Sequence, residues 1–557
     1  MNRAGNWIEK NREKVWFSIF INALILLVYL FLFRPVYETN DDMGICNIVN
    51  GVTGTNDPHL VYSNYLLGLL LSVCYRVMPG ITWFPVLQYA ALFLSFTAIT
   101  YVVIRKMKNS SSVWIVAVVI CFFSYEGYIK LQYTKTAGIV SAAGLFLLLY
   151  AVECEKISRG ALLGGSLLAC TGFMYRKNQF FAEAALMTGI AVVLLFRLRK
   201  SGAQKWKRLA RYIGSAVFLL VLLGGLELLD RAAYSSEQWQ DYTAFNEART
   251  ELFDYGFPKY SDNEEAYNAL GIDKTACSLY RSNNYMDTEK FTTEVMEQLI
   301  SLKTPKAFNR AFLSDFFQEF PVKFFTIPSF YCFLLIAVYW LLWGEHRLTD
   351  FVTLLYEAAI VGCLYLYLYY EGRYLYNRVD VGIWLAVILV VLWLFDSGKC
   401  FFSNRIGLAL FLSVFCVFQF TWQKHWRINT TDTVAKRQEY REVITTINSD
   451  QDHLYLKKAG LISFYKSYGV FEPIPAGACN NMYTLGGWAA RTTSYMGILE
   501  RYGIENPYRD MIGNEKVYLI DDDIDLTMDY IHTYYDEKAE AVLVSEIGSL
   551  KIYQIKA

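Results

Sequence analysis

Apolar residues form long runs along this chain, and short polar connections separate the runs. Several runs are about 18 to 22 residues long, the length that an α-helix needs to cross the hydrocarbon core of a bilayer. We therefore predict a polytopic α-helical membrane protein, in agreement with a hydrophobic content of 54%. The runs predict about eleven spans, at 16–34, 82–104, 113–128, 136–152, 160–174, 179–196, 212–229, 325–343, 351–370, 380–396 and 406–422.

Basic residues in the connections predict the orientation of the spans. Arg3, Lys10, Arg12 and Lys14 precede the first run, and seven more Lys and Arg residues fall within 197–211. Cytoplasmic connections carry an excess of Lys and Arg, so we expect the N-terminus and the second basic cluster to lie inside the cell. No cleavable signal peptide is expected, because the first apolar run is long and lacks a small-residue cleavage site.

The run at 61–78 is apolar enough to cross the membrane, but its crossing would move every later basic connection to the outside. We therefore interpret it as an interfacial or re-entrant helix within a first outer loop at 35–81. A helix that lies on a surface needs a polar stripe. Polar or small residues recur in this run at every fourth position, at Asn64, Gly68, Ser72 and Arg76.

Two polar segments are predicted on the outer side, one at 230–322 and one at 423–557. The first is rich in Tyr, Asn and acidic residues. The second alternates strand-like and helix-like patterns and is large enough to form its own core. We predict a membrane unit at 1–422, which includes the first polar segment, and a small extracytoplasmic α/β domain at 423–557. The predicted strands begin near Lys516, Ala541 and Leu550, and the predicted helix covers 526–537.

Composition limits the other chemistry of the chain. Lys and Arg total 52 and so do Asp and Glu, so net charge indicates no partner and no nucleic acid is expected. The eleven cysteines are scattered and the five histidines are far apart, a pattern that predicts neither a zinc site nor a disulfide framework. An acidic run at Asp521–Asp525 suits either a cation or, as we favour, a strand-to-helix turn with an Asp helix cap.

The candidate catalytic residues are Glu38, Asp41 and Asp42, which follow directly after the first span. Ionised groups at a membrane boundary carry a desolvation cost, which points to a function. A second interpretation is that Thr39, Asn40 or Asp41 caps the next helix. The sequence alone leaves open which of the two neighbouring aspartates would act.

Several cations depart from the inside bias and fall in three short outer connections. Arginine and lysine at the outer interface suit a phosphate, and the planar arginine fork suits a bidentate contact with it. Alternatively, these are long side chains at helix ends that reach toward water. We predict that the cations bind a lipid-linked phosphate while a carboxylate accepts the proton of an attacking hydroxyl. The cations are Lys130, Lys135, Arg176, Lys177, Arg373 and Arg378.

In these features the sequence resembles the GT-C superfamily of integral membrane glycosyltransferases. The resemblance rests on the acidic first loop with Glu38, Asp41 and Asp42, the interfacial stretch 58–79, and the multi-span core with an outer C-terminal domain. The stretch from Glu371 to Val379, with Arg373 and Arg378, also looks like a loop of bacterial polytopic members. The resemblance in layout covers nearly the whole chain, whereas the shared motifs are short.

The resemblance implies a polyprenyl-phosphate sugar donor, transfer with inversion on the extracytoplasmic face, and Asp41 or Asp42 as the base. A divalent cation, Mg²⁺ or Mn²⁺, at these aspartates is also possible in this superfamily. The chain lacks the lysine-proline-proline signature of the aminoarabinose transferases and the Trp-Trp-Asp signature of the oligosaccharyltransferases, so protein N-glycosylation is not expected. A bacterial cell-envelope glycan, teichoic acid or lipid acceptor is expected by analogy alone.

Three other classes compete with this prediction. A transporter or flippase of a lipid-linked glycan would place polar residues in mid-span and often shows internal repeats, and here only Glu183, Glu227 and Glu357 come near mid-span. A polysaccharide ligase or polymerase would share the outer site but use a diphosphate donor. A non-catalytic scaffold would leave the acidic pair and the outer cations without a role.

Overall fold

A computed structural model describes residues 7, 8, 10–107, 111–304, 307–373, 376–395, 413, 437–462 and 467–557. The described chain is mostly helical and carries a small sheet near its C-terminus. The predicted span at 406–422 lies outside the described residues, apart from residue 413.

The first half of the chain is a series of long helices with two short strands. The helices are α1 (Val15–Leu32), α2 (Asp41–Val49), α3 (Tyr65–Val77), α4 (Trp83–Met107), α5 (Ser111–Ser124), α6 (Tyr133–Glu153), α7 (Arg159–Tyr175), α8 (Lys177–Arg199) and α9 (Lys205–Ala233). The strands are β1 (Val36–Tyr37) and β2 (Lys130–Leu131), and a π-helical turn at Tyr125–Ile129 continues α5.

The second half begins with five shorter helices and then returns to long apolar ones. These helices are α10 (Glu237–Phe253), α11 (Glu264–Ala269), α12 (Lys274–Arg281), α13 (Thr293–Ser301), α14 (Arg310–Phe324), α15 (Pro328–Trp343), α16 (Leu348–Tyr370) and α17 (Asn377–Trp393). The C-terminal part adds α18 (Arg437–Ser449), β3 (Leu454–Lys457), β4 (Met482–Thr484), α19 (Thr493–Arg501), α20 (Pro507–Asp510), β5 (Val517–Ile520), α21 (Ile524–Tyr534), β6 (Glu540–Ile547) and β7 (Leu550–Lys556).

Seven helical segments in the described part of the chain are long and apolar enough to cross a membrane. Helices also occupy the other three predicted spans of that part, but α7 and α17 have 17 residues and α15 has 16. A residue adds about 1.5 Å to a helix and the hydrocarbon core is about 30 Å thick, so these three are short for a perpendicular crossing. The seven long segments are Val15–Leu32, Trp83–Met107, Ser112–Ile129, Tyr133–Glu153, Lys177–Arg199, Gly202–Ala233 and Leu348–Tyr370.

The membrane unit is organised around α6, whose side chains are almost all buried. Helices α4, α7, α8 and α17 pack against it. Its approach to α7 is close, because a Cβ added at Gly144 would lie 2.4 Å from the backbone nitrogen of Ala169. Small residues at such a crossing let two helix backbones approach and gain van der Waals contact within a membrane.

Helix α3 corresponds to the predicted interfacial helix, and its 13 residues are too few to cross the hydrocarbon core. Three residues of the predicted polar stripe, Asn64, Gly68 and Ser72, are buried against the protein, whereas the fourth, Arg76, is exposed. Gly68 and Ser72 are buried, and a Cβ at Gly68 would lie 1.9 Å from the carbonyl oxygen of Pro58. The small residues therefore serve close packing, while Leu69 and Leu70 are exposed on the outer face.

The C-terminal residues form a five-stranded mixed sheet in the order β4-β3-β5-β7-β6. Strands β4, β3 and β5 are parallel, whereas β7 pairs antiparallel with β5 and with β6. The sheet shares one hydrophobic core with the segment from α10 to α13, which contributes Phe245, Leu252 and Tyr280. The segment from α10 to α13 thus packs with the C-terminal sheet, although the sequence assigned it to the membrane unit.

The orientation of the membrane unit predicts opposite accessibility at the two ends of α9. A cysteine introduced at exposed Ser235 should react with a membrane-impermeant maleimide in intact cells, because this end is predicted to lie outside. A cysteine at exposed Ala203 should react only after permeabilisation, because basic connections stay inside. Wild type measures the background of the native cysteines, and labelling of both positions from the same side would contradict the orientation.

Candidate functional site

The loop after α1, which is predicted to lie outside, is fixed in place by a short parallel pairing between β1 and β2. Val36 pairs with Lys130 and Tyr37 with Leu131, and the backbone N–H of Glu38 donates to the carbonyl of Leu131 at 2.9 Å. Helix α2 then begins at Asp41. The strand pairing therefore fixes the position of the acidic residues relative to the end of α1.

Asp41 and Asp42 lie in the first turn of α2, where negative charge favours the helix N-terminus. The aspartates therefore interact favourably with the helix N-terminus through their charge. The side chain of Asn40 occupies the N-cap position but forms no capping hydrogen bond. The two carboxylates have different surroundings. Asp41 is partly exposed and forms an ion pair with Arg378 at 3.1 Å.

Asp42 is fully buried, and Gln88 donates a hydrogen bond to its Oδ1 at 3.0 Å. Burial raises the pKa of Asp42 well above its ordinary value, although the Gln88 hydrogen bond acts in the opposite direction. Desolvation disfavours the charged form of a buried carboxyl group. The neutral form of Asp42 is therefore favoured, which separates the role of this residue from that of Asp41.

Glu38 belongs to a buried charge network with Glu126, Lys130 and Lys135. The ammonium of Lys135 lies 2.5 Å from Glu126 and also pairs with Glu38, while Lys130 lies 3.5 Å from Glu38 and 3.7 Å from Glu126. Burial alone would raise the pKa of Glu38, but Lys135 and Lys130 outweigh burial and lower it. The side chains of Glu38 and Lys135 are thus paired with each other, and Lys135 is 0% exposed.

Helix α17 joins this network at its first two residues. Asn377 donates to Glu126 at 3.0 Å and to Glu38 at 3.3 Å, and the next residue, Arg378, pairs with Asp41. Three parts of the chain that are far apart in sequence therefore meet at the acidic loop.

A cavity of about 480 Å³ lies between α8, α16 and the start of α17, and we call it the arginine cavity. Three of the predicted phosphate-binding cations, Arg176, Arg373 and Arg378, line it. Most of its remaining lining is apolar or aromatic, including Phe181, Ala182, Ala185, Leu364, Tyr367 and Leu368, and Glu371 also lines it. The structure therefore brings a cationic group and an apolar surface together in one cavity.

Each of these arginines also contacts a residue of the protein. Arg176 donates to the hydroxyl of Tyr133, and Arg373 pairs with Asp254. A guanidinium carries five N–H donors, so these contacts use only a part of the donors of each arginine. Lys177, in contrast, is 53% exposed, lies outside the lining of the cavity, and pairs with Glu227 at 3.5 Å.

Sequence reasoning missed a second cavity, which lies between α2 and the sheet domain and has a volume of about 180 Å³. Asn40 and Asn47 line it from the first loop, and Lys457 and Trp488 line it from the sheet domain. The sequence carries two local signals of this cavity. One is a strand that ends in Lys457, and the other is the Gly486-Gly487-Trp488 sequence after the next strand. We call it the sheet cavity.

The acidic candidates for a metal site each have partners within the protein. Asp41 faces Arg378, and Asp42 accepts a hydrogen bond from Gln88. In the C-terminal acidic run, Lys458 lies 3.2 Å from Asp521, whose Oδ1 accepts the backbone N–H of Asp523 at 2.7 Å. Among the residues that the structure describes, no group of three or more His, Cys, Asp or Glu side chains is arranged to hold a metal ion.

Comparison with known proteins gives no relative: no protein-family model, curated protein or solved structure matches this chain.

The ion network predicts that substitution of Lys135 lowers the stability of the fold much more than substitution of Lys177. From the sequence, both lysines are predicted to bind phosphate. Lys135→Met should cost about 3–5 kcal/mol of unfolding free energy, because it leaves two buried glutamates with one lysine. Lys177→Met removes an exposed pair and should cost at most about 1 kcal/mol. Denaturant unfolding in detergent measures both values, and an equal effect of the two substitutions would exclude the structural role of the network.

Proposed function

We propose that this chain is an integral membrane glycosyltransferase of GT-C type. It moves a sugar from a polyprenyl-phosphate donor to a cell-envelope glycan or lipid acceptor, with inversion, on the extracytoplasmic face of a bacterial cell membrane. The observation that carries the proposal is the contact between Asp41 and Arg378. It places a partly exposed carboxylate beside a cavity that combines arginines with an apolar lining.

The arginine cavity suits the donor because a polyprenyl phosphate has an anionic head and an apolar tail. Arg176, Arg373 and Arg378 supply planar donors that can contact phosphate oxygens in pairs. Phe181 and Leu364 lie on helices α8 and α16, which also have surfaces exposed toward the predicted lipid phase. The tail can thus follow the apolar side of the cavity while the phosphate stays at its arginine side.

Asp41 is the proposed base. It accepts the proton of an acceptor hydroxyl as that oxygen forms a bond to the anomeric carbon of the sugar. The bond between the anomeric carbon and the phosphate oxygen breaks, and the electron pair leaves with the phosphate. The arginines stabilise the charge that develops there. Asp42 is not the base in this proposal because its neutral form is favoured, and Glu38 is engaged by two lysines.

A transporter or flippase of a lipid-linked glycan is the second candidate, and one observation favours it. Glu183, Glu357 and Asp380 are each at most 2% exposed, on three helices that pack together. Carboxyl groups buried among membrane helices commonly serve proton or ion pathways.

A ligase or polymerase that uses a diphosphate donor shares the outer site and differs from the first candidate only in its donor.

Substitution of the two neighbouring aspartates tests the glycosyltransferase proposal. Purified wild type, Asp41→Asn and Asp42→Asn are supplied with radiolabelled polyprenyl-phosphate sugars and cell-envelope acceptors. Asp41→Asn should lose a factor of about 10² or more in transfer rate, as expected for removal of a general base. Asp42→Asn should stay within about tenfold of wild type, because it replaces a neutral carboxyl group by an amide of similar shape.

Thermal unfolding first confirms that both variants are folded. Equal losses in both variants, or a larger loss in Asp42→Asn, would contradict the assignment of the base. If wild type transfers no sugar from any donor, and Glu183→Gln or Glu357→Gln abolishes glycan export from cells, the transporter candidate replaces the glycosyltransferase.

A further inference from the structure

The sheet cavity lies at the carboxyl ends of two parallel strands, β3 and β4. Lys457 is the last residue of β3 and Thr484 is the last residue of β4, and both line the cavity. Ligands of open α/β sheets bind beyond the carboxyl ends of the strands. The connections that follow these two strands, at 459–462 and 486–490, supply most of the remaining lining.

The other side of the cavity is the first outer loop itself. Asn40, Met43, Gly44 and Asn47 line it, and Asn40 directly precedes the proposed base. A Cβ added at Gly44 would lie 2.8 Å from Cζ2 of Trp488, so glycine lets the indole ring of the sheet domain pack directly on α2. A ligand in this cavity would therefore contact the loop that carries Asp41.

Lys457 gives the cavity its only charge among the described lining residues. Its side chain is 5% exposed, and its ammonium has a carbonyl oxygen, that of Ile462, at 3.4 Å. No carboxylate lies within 4 Å of it in the described part of the chain, and burial lowers the pKa of Lys457 to about 8, with Cys479 acting weakly in the opposite direction. A buried charge without an anionic partner is costly unless a ligand provides that partner.

The neutral polar residues of the cavity suit a polyhydroxylated ligand. Asn47 is 3% exposed, and its Oδ1 forms no hydrogen bond with any described residue. An amide offers two donors and an acceptor to hydroxyl groups. Trp488 and Tyr495 add rings with an apolar face and a polar end. A volume of about 180 Å³ is on the scale of one sugar unit.

We propose that the sheet cavity binds an anionic sugar unit of the acceptor, whose carboxylate or phosphate group pairs with Lys457 while its hydroxyls bond with Asn40 and Asn47. This inference rests on the glycosyl transfer proposed above and adds the chemical class of the acceptor. The bound unit lies against α2, so that the acceptor chain is held beside Asp41.

The test is calorimetric binding to the purified full-length chain without any lipid donor. Glucuronic acid carries the carboxylate, glucose 6-phosphate carries the phosphate, and glucose and inorganic phosphate each lack one of the two features. One of the acidic sugars should bind wild type at least about tenfold more tightly than glucose or phosphate, since charge-assisted hydrogen bonds contribute most here. The stronger of the two identifies the anionic group.

Lys457→Met should weaken this binding about tenfold or more, Lys457→Arg should retain a part of it, and Lys551→Met, at an exposed position on β7, should leave it unchanged. Thermal unfolding confirms that each variant is folded. Equal binding of glucose and the acidic sugars, or wild-type binding by folded Lys457→Met, would overturn the inference. Because no donor is present, binding that persists in a chain without transferase activity would reject the proposed function and keep the anionic sugar site.

Discussion

The arrangement of both candidate sites depends on the ion network of Glu38, Glu126, Lys130 and Lys135, which is largely buried. Four charges removed from water are costly, and they are tolerated because each faces an opposite charge at short range. The network joins the first outer loop to the turn after α5, and Asn377 joins it to the start of α17. Since Arg378 follows Asn377, the hydrogen bonds that Asn377 donates to the network also place Arg378 opposite Asp41.

Around this network, the chain forms two cavities with different chemistry. The arginine cavity is open to the apolar helices α8 and α16, whereas the sheet cavity lies between α2 and the C-terminal domain. Asp41 is next in sequence to a residue of the sheet cavity and is paired with a residue of the arginine cavity. We propose that a lipid-linked donor lies on one side of Asp41 and a polar acceptor on the other.

Local patterns predicted much of this architecture. Apolar runs located the helices, and strand-like alternation located β5, β6 and β7. The cations in the connections predicted to lie outside include the three arginines of the cavity. Their convergence was not visible, since Arg176 and Arg378 are about 200 residues apart and meet only after the helices pack.

Other features escaped sequence analysis because they depend on partners distant along the chain. Lys135 looked like a phosphate ligand, and only the π-helical turn that carries Glu126 shows that it is engaged in the network. The stripe of α3 looked solvated, whereas Gly68 permits close packing. The segment from α10 to α13 shares its core with strands some 200 residues later, a contact that no local period reveals. Buried Lys457 was missed for the same reason.

Retention of a polyprenyl phosphate by the purified protein, measured by native mass spectrometry, tests the central claim most directly. Wild type and Lys177→Gln, which changes an exposed cation outside the arginine cavity, should retain the lipid equally. Arg378→Gln should weaken binding about tenfold or more, because it removes charge-assisted hydrogen bonds to the phosphate. Equal retention of the lipid by all three folded proteins would contradict the assignment of the arginine cavity as the donor site.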